Sequence, residues 1–183
     1  MEVAIGISGA SGAQYGIRLL EVLSEMGVTT HLVITNAAEK IINIETDHDV
    51  ENIKKLASAV YDERDFTAPI ASGSHKYDAL VVAPCSMKTV AAIANGFSDN
   101  LIERTADVCL KERRKVILMV RETPYNQIHL ENLLRLKQAG ADILPASPAF
   151  YNKPETIDDL INFMAGRVLD LLGVEHDIYK RWE

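Results

Sequence analysis

Three unbroken apolar runs of strand length, Val3–Ile7, Ala79–Ala83 and Val116–Val120, constrain this chain more than any other feature. A strand with one wet face alternates apolar and polar residues. A strand that is apolar at every position is covered on both faces, as in a parallel sheet. Segments with helical spacing lie between the runs. Residues 13 to 26 put Leu19, Val22, Leu23 and Met26 on one face, at i, i+3, i+4 and i+7, and Gly27 ends that helix. Thr30–Ile34 reads as a second strand and Asp142–Leu144 as a short fifth. Helices are expected over 36–44, 50–57, 86–95, 127–139 and 155–172, with a loop over 62–76 around Pro69 and Gly73. This alternation predicts one α/β domain spanning 1–183, with a central parallel sheet between helical layers.

The bulk properties remove several classes of function. A length of 183 residues suits one globular domain, and 48% hydrophobic with 25% charged residues suits a buried core. The formal net charge of −7 argues against a nucleic-acid binder, which clusters cations. No apolar run is long enough to span a bilayer. Met1 enters the first strand at once, which leaves no room for a signal peptide. Cys85 and Cys109, far apart, fit neither a disulfide framework nor a zinc site, and a cytoplasmic setting is expected. The five histidines show no metal spacing, so no metal and no catalytic histidine is assigned.

In parallel α/β sheets, ligands sit outside the carboxyl ends of the strands. That rule selects four stretches. The first, Ser8-Gly9-Ala10-Ser11-Gly12-Ala13, lets backbone N–H groups approach an anion at a helix start. Its plainer reading is a tight turn with Ser11 as N-cap. Its glycines are spaced Gly6-x-x-Gly9-x-x-Gly12, and strand two ends in Thr35-Asn36 without the carboxylate that binds a ribose diol. Both observations weigh against a dinucleotide dehydrogenase. The third stretch, Pro84-Cys85-Ser86-Met87-Lys88-Thr89, opens a helix with hydroxyls that suit a phosphate or simply cap. In the fourth, Arg121 and Glu122 leave an apolar strand together. They form either a surface ion pair or a phosphate clamp with a proton carrier. Cys85 reads as a small core residue.

These stretches, with Ile128-His129-Leu130-Glu131-Asn132-Leu133 and Pro145-Ala146-Ser147-Pro148-Ala149-Phe150-Tyr151, stand in the order seen in UbiX-type flavin prenyltransferases. The chain resembles that family over nearly its whole length. The resemblance implies a Rossmann-like (flavodoxin-like) three-layer sandwich and a homo-oligomer, a dodecamer. It implies reduced FMN as substrate and dimethylallyl phosphate as the second substrate. Prenylated FMN, bonded at N5 and C6, is then made without metal for UbiD-type decarboxylases. Carried over position by position, the FMN contacts are Gly9, Ala10, Ser11 and Thr35, then Ser86, Met87, Lys88 and Thr89, with Arg121. Tyr151 and Arg167 face the prenyl phosphate, Lys111 and Arg104 add positive charge, and Trp182 supplies an aromatic face near the carboxyl end. Ser11, Glu45, Glu122 and Lys111 take the catalytic positions, and the tail from about residue 173 packs on a neighbouring subunit.

Without the resemblance, these last residues have plainer readings. Glu45 is a solvated acid, Lys111 ends a helix, Arg167 is surface, Tyr151 packs under a loop and Trp182 is frayed. Two other functions share the expected fold. One is an FMN-dependent cysteine decarboxylase of the phosphopantothenoylcysteine type, which calls for a Pro-x-Met-Asn motif and an active-site histidine. The other is a non-catalytic flavin-binding module.

Overall fold

The computed structural model describes residues 1–182. Six strands form one parallel sheet: β1 (Glu2–Ile7), β2 (Thr29–Ile34), β3 (Ala59–Tyr61), β4 (Ala79–Cys85), β5 (Lys115–Val120) and β6 (Asp142–Pro145). Their spatial order is β3-β2-β1-β4-β5-β6, with all neighbours parallel. The five longer strands alone run in the flavodoxin order, and the short β3 extends it to the six-stranded Rossmann order. The chain reverses direction across the sheet between β1 and β4, so the switch point lies where these two strands end.

Seven helices cover the sheet: α1 (Ala13–Glu25), α2 (Asn36–Glu45), α3 (Val50–Lys54), α4 (Met87–Ala94), α5 (Leu101–Lys111), α6 (Gln127–Gln138) and α7 (Ile157–Leu172). Successive strand residues point to opposite faces, and they divide the core in two. Ile5, Val81 and Met119 pack with α1, α2 and α7, whereas Ala4, Leu80 and Leu118 pack with α4, α5 and α6. Apolarity at every strand position is the signature of this two-sided cover. A Cβ on Gly6 would come within 3.0 Å of the Ile102 side chain, and one on Gly16 within 2.1 Å of the Ala83 carbonyl. Glycine at these points lets α5 and α1 lie close on the strands.

Two elements exceed the sequence expectation. β3 is a three-residue edge strand that pairs only with β2, too short to carry a period. Helix α5 begins at Asn100, whose side chain accepts from the Glu103 N–H at 2.9 Å. No helix among the described residues is long and apolar enough to cross a membrane.

Candidate functional site

The loops after β1, β2, β4 and β5 enclose a cavity of about 540 Å3. Gly9, Thr35, Ser86, Met87, Lys88, Thr89 and Glu122 line it, all singled out from the sequence. Ser8 joins two of its walls. Its buried hydroxyl donates to the Pro84 carbonyl at 2.9 Å and accepts from the Ser86 N–H at 2.9 Å. Ser86 then caps α4 by accepting from the Thr89 N–H at 3.3 Å, and the first turn of α4 holds no acid. Two hydroxyls and free N–H groups are thus presented where a phosphate is favoured. Thr35 caps α2 in the same way, through the Ala38 N–H at 3.1 Å.

The start of α1 corrects one expectation. Ser11 is not its N-cap. Gly12 holds that position at φ 95°, with no side-chain cap of its own. In this left-handed conformation the N–H groups of Gly12 and Ala13 point at Glu45, which accepts them at 2.8 and 3.3 Å. A carboxylate brings a full charge to the helix start, and from another helix it can reach two donors at once. Burial works to raise the Glu45 pKa, but hydrogen bonds from Ser11, Gly12 and Ala13 and the charge of Arg121 outweigh it. The carboxyl therefore sits below its usual range and is ionised at neutral pH. The solvated-acid reading of Glu45 is thereby set aside.

Arg121 stands beside this group, near enough to Glu45 and Tyr15 to act on their charge. Its Nε is buried and has no hydrogen-bond partner. An orphaned guanidinium N–H is costly unless a ligand acceptor completes it. Gly9 lets the turn after β1 cradle closely on the start of α2, since a Cβ there would lie 2.6 Å from the Ala37 Cβ. The orphan donor, the acid-free α4 start and the glycine cradle fit a flavin mononucleotide.

Lys88 is 71% exposed, yet its Nζ lies 3.0 Å from the fully buried carboxylate of Glu103. Glu103 also accepts from Asn100 Nδ2 and the Asp99 N–H, each at 2.9 Å. Sequence reasoning missed Glu103, although Asn100-x-x-Glu103 has the spacing of a helix cap. It also missed Glu63 and Arg64, which line the cavity from the irregular loop. Asn36 Nδ2 donates to Glu63 at 2.6 Å, and the Leu101 N–H fixes the Glu63 carbonyl at 2.8 Å. These contacts are tertiary, and no local pattern announces them.

The remaining predicted residues fall into two groups on opposite faces of the sheet. On α5, Arg104 donates to the Ala71 carbonyl at 3.1 Å and to Asp107 at 2.7 Å, and Lys111 pairs with Glu112. On the α7 side, Arg167 pairs with Asp170 at 2.8 Å. The Tyr151 ring lies edge-on to Trp182, with centroids 5.1 Å apart, and to Phe163 at 6.0 Å. One protomer does not bring Lys111 and Arg104 together with Tyr151 and Arg167. Trp182 is 75% exposed but is not free of contacts. The tail folds back along its own α7: a Cβ on Gly166 would meet the Tyr179 ring at 2.3 Å. Tyr179, Arg181 and His176 all reach Asp170, at 2.7, 2.8 and 3.1 Å. Burial raises the Asp170 pKa, but these bonds prevail and hold it at about 2.

Buried Cys85 and Cys109 serve as core residues, and burial pushes both thiols up, Cys109 to about 11.

Comparison with known proteins agrees with this geometry. Residues 1–169 match the Flavoprotein family. The flavin prenyltransferase UbiX of Methanocaldococcus jannaschii is 56% identical over 182 residues, covering 100% of this chain and 98% of that protein. A crystal structure of a UbiX protein in complex with FMN and dimethylallyl pyrophosphate superposes with a TM-score of 0.98 at 47% identity, covering 100% of this chain and 97% of the other. A dodecameric FMN-dependent UbiX-like decarboxylase from Escherichia coli O157:H7 gives a TM-score of 0.98 at 45% identity, with 100% of both chains covered.

Proposed function

This chain belongs to the Flavoprotein family and, within it, to the UbiX flavin prenyltransferases, and from that premise we propose that it transfers a dimethylallyl group from dimethylallyl phosphate to reduced FMN. The observation that carries the reading is the buried, unpartnered Arg121 Nε, next in sequence to Glu122 of a cavity that is also lined by an acid-free helix start. When bound, reduced FMN would supply the nucleophilic N5 and C6: each would exchange its hydrogen for a bond to the five-carbon group, the C–O bond of the prenyl phosphate would break, one released proton would go to the alkene carbon as the ring closes and the other would leave with the phosphate.

The chain's own groups bind, orient and move protons around that exchange. Ser86, Thr89 and Lys88 hold the flavin phosphate, with Met87 and Thr35 against the nucleotide. Gly9, Ala10 and Ser11 allow close approach of the backbone, and Arg121 Nε donates to the flavin. Glu45, already ionised, accepts the proton lost from C6, with the Ser11 hydroxyl as relay. Glu122 protonates the departing phosphate. Lys111, Arg104, Arg167 and Tyr151 stabilise the negative charge that builds on the leaving group. Trp182 offers its ring face to the positive charge developing on the allyl carbon.

Since α5 and α7 lie on opposite faces of the sheet, this second half of the site draws on neighbouring subunits. A homododecamer fits that need, with the tail from about residue 173 also resting on a neighbour. The product passes to a UbiD-type decarboxylase in the cytoplasm. No histidine lines the cavity among the described residues, which disfavours a cysteine decarboxylase. The test is anaerobic incubation with reduced FMN and dimethylallyl phosphate. A gain of the five-carbon group in the flavin mass is expected, and unchanged flavin under competent reduction would refute the assignment.

A further inference from the structure

At the opposite end of the sheet, three side chains distant in sequence meet. Glu2 opens β1, His31 lies within β2, and His75 precedes β4. Six residue steps along β1 take the chain from Glu2 to Ser8, roughly 20 Å, so this cluster stands clear of the flavin cavity. His31 Nε2 lies 2.6 Å and His75 Nε2 3.0 Å from the same oxygen of Glu2. The three candidate ligand atoms all lie within 4.8 Å of one another. We propose that Glu2, His31 and His75 form a site for one divalent transition-metal ion of the zinc type, which clamps β1, β2 and the segment before β4.

Ligand chemistry, geometry and access all point to such an ion. Two imidazoles and one carboxylate are a borderline nitrogen and oxygen set, which suits zinc, cobalt or nickel over calcium or magnesium. A tetrahedral zinc with bonds of about 2.0–2.1 Å separates its ligand atoms by roughly 3.3 Å. The present separations from Glu2 therefore need to open by less than roughly 1 Å. The imidazole planes are already fixed. His31 Nδ1 lies 3.0 Å from the Tyr61 hydroxyl, and His31 and His75 meet edge to face at 5.6 Å. With an ion on Nε2, neutral His31 carries its proton on Nδ1, where Tyr61 accepts it. This is the outer-shell contact that orients metal-bound histidines. A hollow of about 520 Å3, lined by Glu2 and Asp78 together with Lys76 and Arg114, opens the cluster to solvent on the Glu2 side.

The competing account is a purely hydrogen-bonded cluster in which both histidines share the Glu2 oxygen. The test uses the full-length chain without an affinity tag. Cobalt(II) is titrated into apoprotein treated with a chelator, and the visible d–d absorption is followed. The proposal expects saturation at one cobalt per subunit, displacement by zinc, and loss of at least tenfold in affinity in both Glu2→Gln and His75→Asn. Zinc at a hundredfold excess over its native dissociation constant should raise the Tm of the native sequence by about 5–10 °C and that of His75→Asn by no more than about half as much. His48→Ala, outside the cluster, should behave as the native chain. No saturable cobalt spectrum, or equal binding by the native chain and His75→Asn, would overturn the metal site and leave the hydrogen-bonded cluster.

Discussion

The two halves of the site are built differently. The proposed flavin half is gathered within one chain: loops after β1, β2, β4 and β5 converge because parallel strands all end on one edge, and their caps fix hydroxyls and N–H groups around one cavity. The second-anion half is divided, with Arg104 and Lys111 on one face of the sheet and Tyr151 and Arg167 on the other. Each of its cations is meanwhile occupied by a local acid, Asp107, Glu112 or Asp170. On the proposed reading, a ligand position set by strand ends should survive in an isolated subunit, whereas one set by helix surfaces should wait for assembly.

The sharpest way to break this comparison is complementation. Lys111→Ala and Arg167→Ala should each lower transfer by more than about a hundredfold, as loss of a group facing developing charge does, while FMN still binds. Oligomers mixed from the two variants should recover transfer well above either alone, because some assembled sites then hold both native residues. Failure to recover, measured by prenylated-flavin yield, would show that both cations serve within one protomer.

The flavin half is tested by crowding it. Gly9→Val places side-chain atoms against Ala37, and the strain of about 1–3 kcal/mol should weaken FMN binding at least tenfold without loss of helix content. Fluorescence titration reads the affinity, and near-native binding would mean that the glycine cradle is incidental. Glu122→Gln should slow transfer and leave FMN binding intact; lost binding would reassign Glu122 to the flavin.

Smaller effects concern what holds each half in place. Asp170 is depressed to about 2, so its stabilisation is present above the ordinary aspartate pKa and fades as pH falls towards that value. Asp170→Asn should therefore cost about 1–2 kcal/mol in urea unfolding at pH 7, after allowance for solvent screening, and almost nothing near pH 2. Glu45 is also lowered, so its cap holds at neutral pH and is lost as pH falls through its folded pKa. Glu45→Gln should cost about 1 kcal/mol at pH 7 and less in acid. A pH-independent cost would contradict the charge argument.

Much of the flavin half was legible in the sequence because β1, β4 and β5 announced themselves by unbroken apolarity and the ligand edge followed from topology. Ser86 and Thr35 could be read as caps because capping is local. Ser11 could not be read correctly, since the conformation of Gly12 hands the helix start to Glu45 from 33 residues away. Helix α5 was readable in principle from Asn100 and Glu103, but β3 was not, being three residues held by one neighbour. For Tyr151, Arg167, Lys111 and Trp182 only family resemblance spoke, because no pattern along one chain records which surfaces meet in an assembly. The pairing of His31 with His75 escaped notice for a related reason: sheet register brings them together, not spacing.

Ser8 has a mechanical consequence. By giving its proton to Pro84 and taking one from Ser86, it makes the walls after β1 and β4 a single rigid jaw. Any breathing of the cavity mouth must then come from the other jaw, Thr35 with its Asn36–Glu63 tether on one side and Glu122 on the other. On the proposed reading, admission of a planar ring system would be a one-sided motion, with the Ser86 wall held by Ser8 while the opposite wall opens.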